Sequence, residues 1–111
     1  MKAISTTKAP GAIGPYSQAI EVGDFIYTSG QIPIDPTTGT FAEGGIKEQT
    51  RQSLQNIKAI LEEAGSAMEK VIKTTVFLSD MNYFADMNSI YAEFFSEPYP
   101  ARSAVAVKTL P

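Results

Sequence analysis

Apolar residues are grouped in two short strand-like runs near the amino end of the chain, within the segment "SQAIEVGDFIYTSGQIP". The runs lie on either side of Gly23-Asp24, a two-residue connection with glycine first, which is typical of a type II′ turn. The sequence therefore predicts a β-hairpin at this point. Pro33, Asp35-Pro36 and Gly39 predict a loop after the second strand.

The spacing of apolar residues changes to a helical repeat between Ile46 and Ala64. Apolar residues recur there at helical spacing, which indicates one buried helix face, and Gly65 is a typical residue just after a helix end. We therefore predict a first helix over residues 46–64. Its apolar positions are Ile46, Leu54, Ile57, Ile60, Leu61 and Ala64.

A strand and a second helix follow. The run from Val71 to Leu78 is rich in β-branched residues and predicts a strand. Asp80 or Asn82 is suited to cap a helix, which the prolines at 98 and 100 bring to an end. The apolar positions of this helix are Phe84, Met87, Tyr91, Phe94 and Phe95.

The segment "YPARSAVAV", Tyr99 to Val107, contains the last predicted strand. Ser103–Val107 is short and almost continuously apolar, which is typical of a buried strand. Arg102 stands at its entrance, although arginine is rarely buried without a partner. The order of elements predicts an α+β or α/β domain with a mixed β-sheet.

The predicted strands are apolar on both sides, whereas two helices suffice to cover one face of a sheet. Phe77, Val105 and Val107 cannot all face the same two helices. We expect the second face to be buried by association with copies of the same chain, since closed homo-oligomers are the usual solution.

Composition narrows the class of protein. The chain has 111 residues with no repeat or linker, so we predict a single domain over 1–111. No run approaches the roughly eighteen apolar residues of a membrane span. Cysteine is absent, so no disulfide framework exists and a cytoplasmic location is expected.

Two residue types that carry much of enzyme chemistry are missing. Without cysteine and histidine, the chain has no thiol nucleophile, no Ser-His triad, no imidazole base and no zinc site of the usual kind. The net charge of −3 lacks the basic footprint of a nucleic-acid binder. Only Arg51 and Arg102 could bind a planar carboxylate through two parallel N–H groups.

Four motifs occur in order across essentially the whole chain: "GAIGPYSQAI", "TSGQIP", "TTVFLSDM" with the aromatic helix behind it, and "PARSAVAV". Together they resemble the RidA family, also called the YjgF or L-PSP family. The resemblance implies a chorismate-mutase-like α+β fold, with a mixed sheet covered on one face by two helices. It also implies a homotrimer with sites in the clefts between subunits.

The activity that the resemblance implies is cofactor-free hydrolysis of reactive 2-imino or enamine acids, such as 2-iminobutanoate and 2-iminopropanoate, to 2-keto acids and ammonia. The protein then supplies carboxylate capture, orientation of the iminium and a positioned water, and needs no metal. Two other classes stay open. One is a non-catalytic module that binds small carboxylates; the other is an RNA-acting protein, which the charge and the missing histidine disfavour.

The resemblance also assigns site residues. Arg102 matches the arginine of the family's P-A-R motif, which grips the substrate carboxylate and is the catalytic candidate. The other substrate-binding candidates are Tyr16, Ser29, Gly30 and Asn88. The residues alone leave plainer alternatives: a solvated arginine, a loop tyrosine packed on the core, a β-bulge at the glycine and an exposed helix position at the asparagine.

The sequence departs from the family at two places. Many members carry cysteine two residues after the arginine, where this chain has Ala104. The family also continues past a pair like Leu110-Pro111 into a strand whose glutamate helps to position the water, whereas this sequence stops at Pro111. Either the sequence is a fragment, or the water-positioning carboxylate comes from elsewhere or is missing. Arg51, on the first helix, is expected to be a solvated charge.

Overall fold

The computed structural model describes residues 1–111. The strands are β1 (Lys2–Ile4), β2 (Ala19–Val22), β3 (Phe25–Thr28), β4 (Ile34–Asp35), β5 (Thr40–Phe41), β6 (Lys73–Leu78) and β7 (Ala101–Ala106). The helices are α1 (Ile46–Glu63) and α2 (Phe84–Phe94), and 3₁₀ turns lie at Met68–Lys70 and Met81–Tyr83. An α+β fold with two helices is confirmed. Neither helix is long and apolar enough to cross a membrane.

The predicted hairpin is formed by β2 and β3, which pair antiparallel with Val22 opposite Phe25. Gly23 adopts φ +56°, whereas Asp24 is not among the residues with positive φ. A type I′ turn needs positive φ at both central residues, so the turn is the predicted type II′. β1 adds to the free edge of β2, with Ile4 opposite Ala19.

Helix α1 has a defined signal at each end. The Gly45 N–H donates to Glu48 Oε2 at 2.9 Å at its start. At its end, Gly65 has φ +79° and the Ser66 N–H donates to the Leu61 carbonyl oxygen at 2.8 Å. This is the Schellman arrangement, which satisfies carbonyls that the helix leaves free. The prediction of a helix over residues 46–64 is confirmed to within one residue.

The second half forms a parallel crossover, β6–α2–β7, with Thr74 opposite Arg102 in the strand register. Asp80 is the capping residue, because its Oδ1 accepts the Asn82 N–H at 2.8 Å. It caps the 3₁₀ turn that leads into α2. β6 begins later than the predicted Val71, because that residue closes the preceding 3₁₀ turn.

Two expectations are wrong. Parallel and antiparallel pairs both occur, but the ladders form three separate sheets rather than one mixed sheet, because the free edges of β3 and β6 do not pair with each other. The last strand is not buried in the chain either. It spans Ala101–Ala106 and alternates, with Val105 45% exposed, because only one of its faces meets the helices. Arg102 consequently lies within the strand and not before it.

The core lies between the helices and one side of the strands. The larger buried cluster contains Leu61, Met68, Leu78, Met87, Tyr91 and Phe95. A second cluster around Ile60 joins α1 to β1 and β2. Only 14 of 111 residues are buried, so much apolar surface stays outside. Phe25, Tyr27 and Phe77 are each more than half exposed on the strands, which confirms that a single chain leaves apolar strand surface uncovered.

Candidate active site

Arg102 projects from β7 toward α2. Its backbone lies in the parallel ladder, and alternation along the strand places its half-buried side chain on the helix-facing side. The Nη1 group donates to Asn88 Oδ1 at 2.6 Å. The structure therefore brings together two of the predicted site residues that are fourteen positions apart.

One stripe of α2 forms the surroundings of this guanidinium. Phe84, Asn88 and Tyr91 are spaced i, i+4, i+7, so their side chains share one helix face. The Arg102 Cζ atom lies 4.7 Å from the ring centroid of Tyr91 and 5.4 Å from that of Phe84. Both distances are within the range of cation–π attraction.

Tyr91 is itself fixed from the sheet. Its hydroxyl shares a 2.7 Å hydrogen bond with Thr74 Oγ1 on β6, and Thr74 is the residue opposite Arg102 in the ladder. The ring also contacts Phe95, with centroids 4.5 Å apart. The residues around Arg102 thus form one connected group of contacts that joins β6, α2 and β7.

Arg102 has no carboxylate partner within the chain. The two ion pairs of the structure involve other residues, Arg51 with Glu93 and Lys58 with Glu62. The guanidinium carries five N–H donors, of which the bond to Asn88 uses one. The remaining donors can receive the two oxygens of a bound carboxylate.

A second group of predicted residues lies where β3 ends. The Ser29 Oγ donates to the Ser17 carbonyl oxygen at 2.6 Å, and the Ser29 N–H donates to the Gln18 carbonyl oxygen at 2.9 Å. These bonds hold Ser29 against the segment that carries Tyr16. The Tyr16 hydroxyl accepts the Ile13 N–H at 3.3 Å, and the residue as a whole is 51% exposed. Tyr16 is therefore not the loop tyrosine packed into the core that one alternative required.

Gly30 follows β3 and lies outside the ladder, so it is not a β-bulge. No atom lies within 4 Å of the position where a Cβ would stand. The backbone here is open to close approach by another molecule.

No hydrogen bond joins the group of Tyr16, Ser29 and Gly30 to the pair of Arg102 and Asn88. Within one chain the predicted site residues therefore fall into two groups. Two surface depressions, of about 410 and 400 Å³, lie elsewhere along α1. Neither contains a predicted site residue, and the first has a single apolar residue in its lining, so they do not mark the site.

Sequence reasoning missed the supporting residues. The contribution of Tyr91 and Thr74 to the Arg102 surroundings was not predicted, although the i, i+4, i+7 spacing from Phe84 could have suggested the stripe. Gln18 was also missed. It is 3% exposed, and its Nε2 donates to the carbonyl of Pro10 at 2.7 Å while its Oε1 accepts the Thr6 N–H at 2.7 Å. It fixes the amino-terminal segment beside the Tyr16 loop.

The other arginine has a different environment. Arg51 on α1 donates from Nη1 and Nη2 to the two carboxylate oxygens of Glu93 on α2, at 2.8 and 3.3 Å. These hydrogen bonds hold the pKa of Glu93 below its ordinary value and raise the pKa of Arg51. Arg51 is therefore an ion-paired residue at the surface. Its side chain is 43% exposed, as expected of a solvated charge, whereas its ion pair with Glu93 was not predicted.

Comparison with known proteins shows the family of the chain. The profile of a family described as endoribonuclease L-PSP matches residues 6–111. A RutC family protein of Pyrococcus abyssi is 60% identical over 108 residues, which cover 97% of this chain and 85% of that protein. The chain belongs to the endoribonuclease L-PSP family, the RidA family that its motifs indicate.

Two relatives carry more specific names. The 2-iminobutanoate/2-iminopropanoate deaminase of Salmonella typhimurium is 51% identical over 113 residues, covering 99% of this chain and 88% of that protein. A crystal structure of TdcF from E. coli with bound serine superposes with a TM-score of 0.94 at 45% identity. That match covers all of this chain and 89% of TdcF.

Proposed function

We propose that this protein hydrolyses reactive 2-imino acids, including 2-iminobutanoate and 2-iminopropanoate and their enamine tautomers, to 2-keto acids and ammonia. Relatives about 50% identical over nearly the whole chain carry the name of this deaminase. The substrate is a small planar acid with one permanent negative charge. A site for it must bind that carboxylate and leave the C=N carbon open to water.

The observation that carries the proposal is the Arg102 guanidinium, which is half-buried and has no carboxylate of its own chain to bind. A guanidinium presents two parallel N–H groups that match a carboxylate. The serine bound to TdcF also carries an α-carboxylate, as the imino acids do. Arg102 is accordingly the group that we assign to the substrate carboxylate.

The reaction follows from this binding mode. The substrate binds Arg102 through its carboxylate. The carbon of its protonated C=N group is electrophilic, and a water oxygen adds to this carbon with loss of one proton. The resulting carbinolamine then breaks its C–N bond, releases ammonia and leaves the 2-keto acid. The protein contributes orientation and charge stabilisation and changes no oxidation state.

Tyr16, Ser29 and Gly30 are assigned to the opposite wall of the site. The exposed Tyr16 ring can cover the alkyl part of the substrate, and the open backbone at Gly30 allows close approach. The Ser29 hydroxyl already donates to the Ser17 carbonyl oxygen, so in this assignment Ser29 holds the segment that carries Tyr16 in place.

We further propose that the chain assembles as a homotrimer in which these two groups of site residues meet across subunit boundaries. The exposed apolar strand surface around Phe77 and Tyr27 supports this assembly, because isolated domains rarely leave such patches open. Sedimentation should show a trimer at micromolar concentration; a stable monomer would contradict it. A cytoplasmic location fits the absence of cysteine and is part of the same proposal.

The test of the activity uses imine made in place, because the substrate hydrolyses rapidly in water. A threonine dehydratase generates 2-iminobutanoate, and the appearance of 2-ketobutanoate is followed with and without this protein. We expect acceleration that saturates with imine supply. Saturable binding of 2-ketobutanoate without any acceleration would instead select a carboxylate-binding module, which the serine complex of TdcF also favours.

A further inference from the structure

We infer that Tyr91 is a positioning residue, whose ring holds the Arg102 guanidinium in the plane and direction in which it receives the substrate carboxylate. The inference rests on the proposed function and goes beyond it, since it concerns a residue that does not touch the substrate. It follows from the contacts on three sides of Arg102.

The guanidinium plane matters because carboxylate recognition by arginine is directional. Two parallel N–H groups must point at two oxygens, and a rotated plane offers only one. A long arginine side chain loses much rotamer freedom when it is held in a single geometry. A site that holds Arg102 in advance avoids that cost at the moment of binding.

The structure holds Arg102 with contacts of two kinds. The rings of Tyr91 and Phe84 lie 4.7 and 5.4 Å from its Cζ atom, so aromatic surface restrains the flat group. Asn88 Oδ1 then accepts from Nη1 at 2.6 Å and fixes rotation within the plane. Asn88 therefore has a positioning function beside its predicted place in the substrate pocket.

Tyr91 is the more rigid of the two rings. It is 7% exposed, and its hydroxyl bonds to Thr74 on the strand next to Arg102. The Tyr91 ring and the Arg102 guanidinium are thus both held by the same pair of strands, β6 and β7. Phe84 is only partly buried and has no such anchor.

The experiment measures the dissociation constant of 2-ketobutanoate, the product used as a stable probe, by calorimetry or NMR titration of the assembled protein. Tyr91→Leu removes the aromatic surface and should raise the constant about three- to thirty-fold, the range expected for one partly desolvated cation–π contact. Tyr91→Phe keeps the ring and should stay within about twofold, although loss of the Thr74 bond should lower the melting temperature.

Measuring the same Tyr91 change in an Arg102→Lys protein distinguishes orientation of the guanidinium from general packing of the pocket. In Arg102→Lys the charge stays but the plane is gone, because an ammonium is a point charge. There, Tyr91→Leu should cost less than about twofold in affinity. An equal cost in both backgrounds would show that Tyr91 supports the pocket as a whole, which would overturn the inference.

Tyr91 is buried, so its leucine variant can fail to fold. In that case Phe84→Leu decides, with Phe94→Leu as the matched control on the same helix, since both rings are partly buried against the same core. Only the Phe84 change should weaken the probe, and equal effects would overturn the inference. If Arg102→Ala leaves affinity unchanged, the proposed carboxylate site itself fails; if Arg102→Ala weakens binding but neither ring change does, only the positioning function fails.

Discussion

The two arginines of this protein occupy opposite sides of α2 and differ in what they bind. Arg51 lies on the outer surface of the helix pair and meets both carboxylate oxygens of Glu93. Arg102 lies between α2 and β7, half-buried, with an amide oxygen and two aromatic rings around it. One arginine is paired within the chain, and the other is held in position without a carboxylate.

This difference distinguishes an arginine in an internal ion pair from an arginine that is available to bind an external carboxylate. An arginine with an internal carboxylate has no reason to bind another, and an exposed pair contributes little to stability. A half-buried guanidinium without a counter-charge is costly unless an external anion completes it. The environment of each side chain, and not the residue type, therefore supports the proposal that Arg102 is the ligand-binding arginine.

The largest expected effect comes from Arg102→Ala. Removing the guanidinium leaves the substrate carboxylate uncompensated in a partly desolvated site, and such losses run at roughly 2–5 kcal/mol. We expect kcat/KM on imine generated in place to fall about thirty-fold to several thousand-fold, since about 1.4 kcal/mol is tenfold. The fold should persist, which circular dichroism can verify. Full activity in a folded variant would remove Arg102 from the site.

Arg102→Lys should have an intermediate effect. The ammonium keeps the positive charge but cannot offer two parallel N–H groups, so it restores only part of the loss. The same kinetic assay should place its efficiency between those of the wild type and Arg102→Ala. Wild-type efficiency in the lysine variant would show that charge alone matters and that the plane does not.

Arg51→Ala should change turnover by less than about twofold, because Arg51 lies on the far side of α2 and already has its partner. It is the matched control for Arg102→Ala, with the same substitution and the same loss of one charge. A loss of activity comparable with that of Arg102→Ala would break the distinction between the two arginines.

The smallest effect is the pH dependence of the Arg51–Glu93 pair. The hydrogen bonds from Arg51 lower the pKa of Glu93 from its ordinary value of 4.5, so the folded state binds this proton less readily than the unfolded state. The stabilisation is present above pH 4.5 and is lost as pH falls through the lower folded pKa. The small melting-temperature advantage of the wild type over Arg51→Ala should shrink over that acidic range, and an advantage that grew there would contradict the assignment.

Much of the fold was predictable because its signals are local. The Gly23 turn and the Gly65 helix end depend on backbone conformations that glycine adopts readily. The Asp80 cap depends on a short side chain that accepts a nearby N–H. The division of the strands into three separate sheets was not predictable, since it depends on which strand edges meet in three dimensions.

The site was predictable only in part. The motif around Arg102 indicated the candidate residue, but its side-chain contacts come from α2, and the residue that bonds to Tyr91 comes from the neighbouring strand β6. The contact with Tyr91 depends on the register that sets Thr74 beside Arg102. The pairing of Arg51 with Glu93 is likewise a contact between residues 42 positions apart, which helix periodicity does not reveal.

The most direct test of the central claim compares a carboxylate with its uncharged isostere. Binding of 2-ketobutanoate and of 2-ketobutanamide is measured for the wild type and for Arg102→Ala. We predict that the wild type prefers the carboxylate by at least about tenfold and that Arg102→Ala loses this preference, because the guanidinium is the group that distinguishes the two probes. The same preference in both proteins would mean that the substrate carboxylate binds elsewhere.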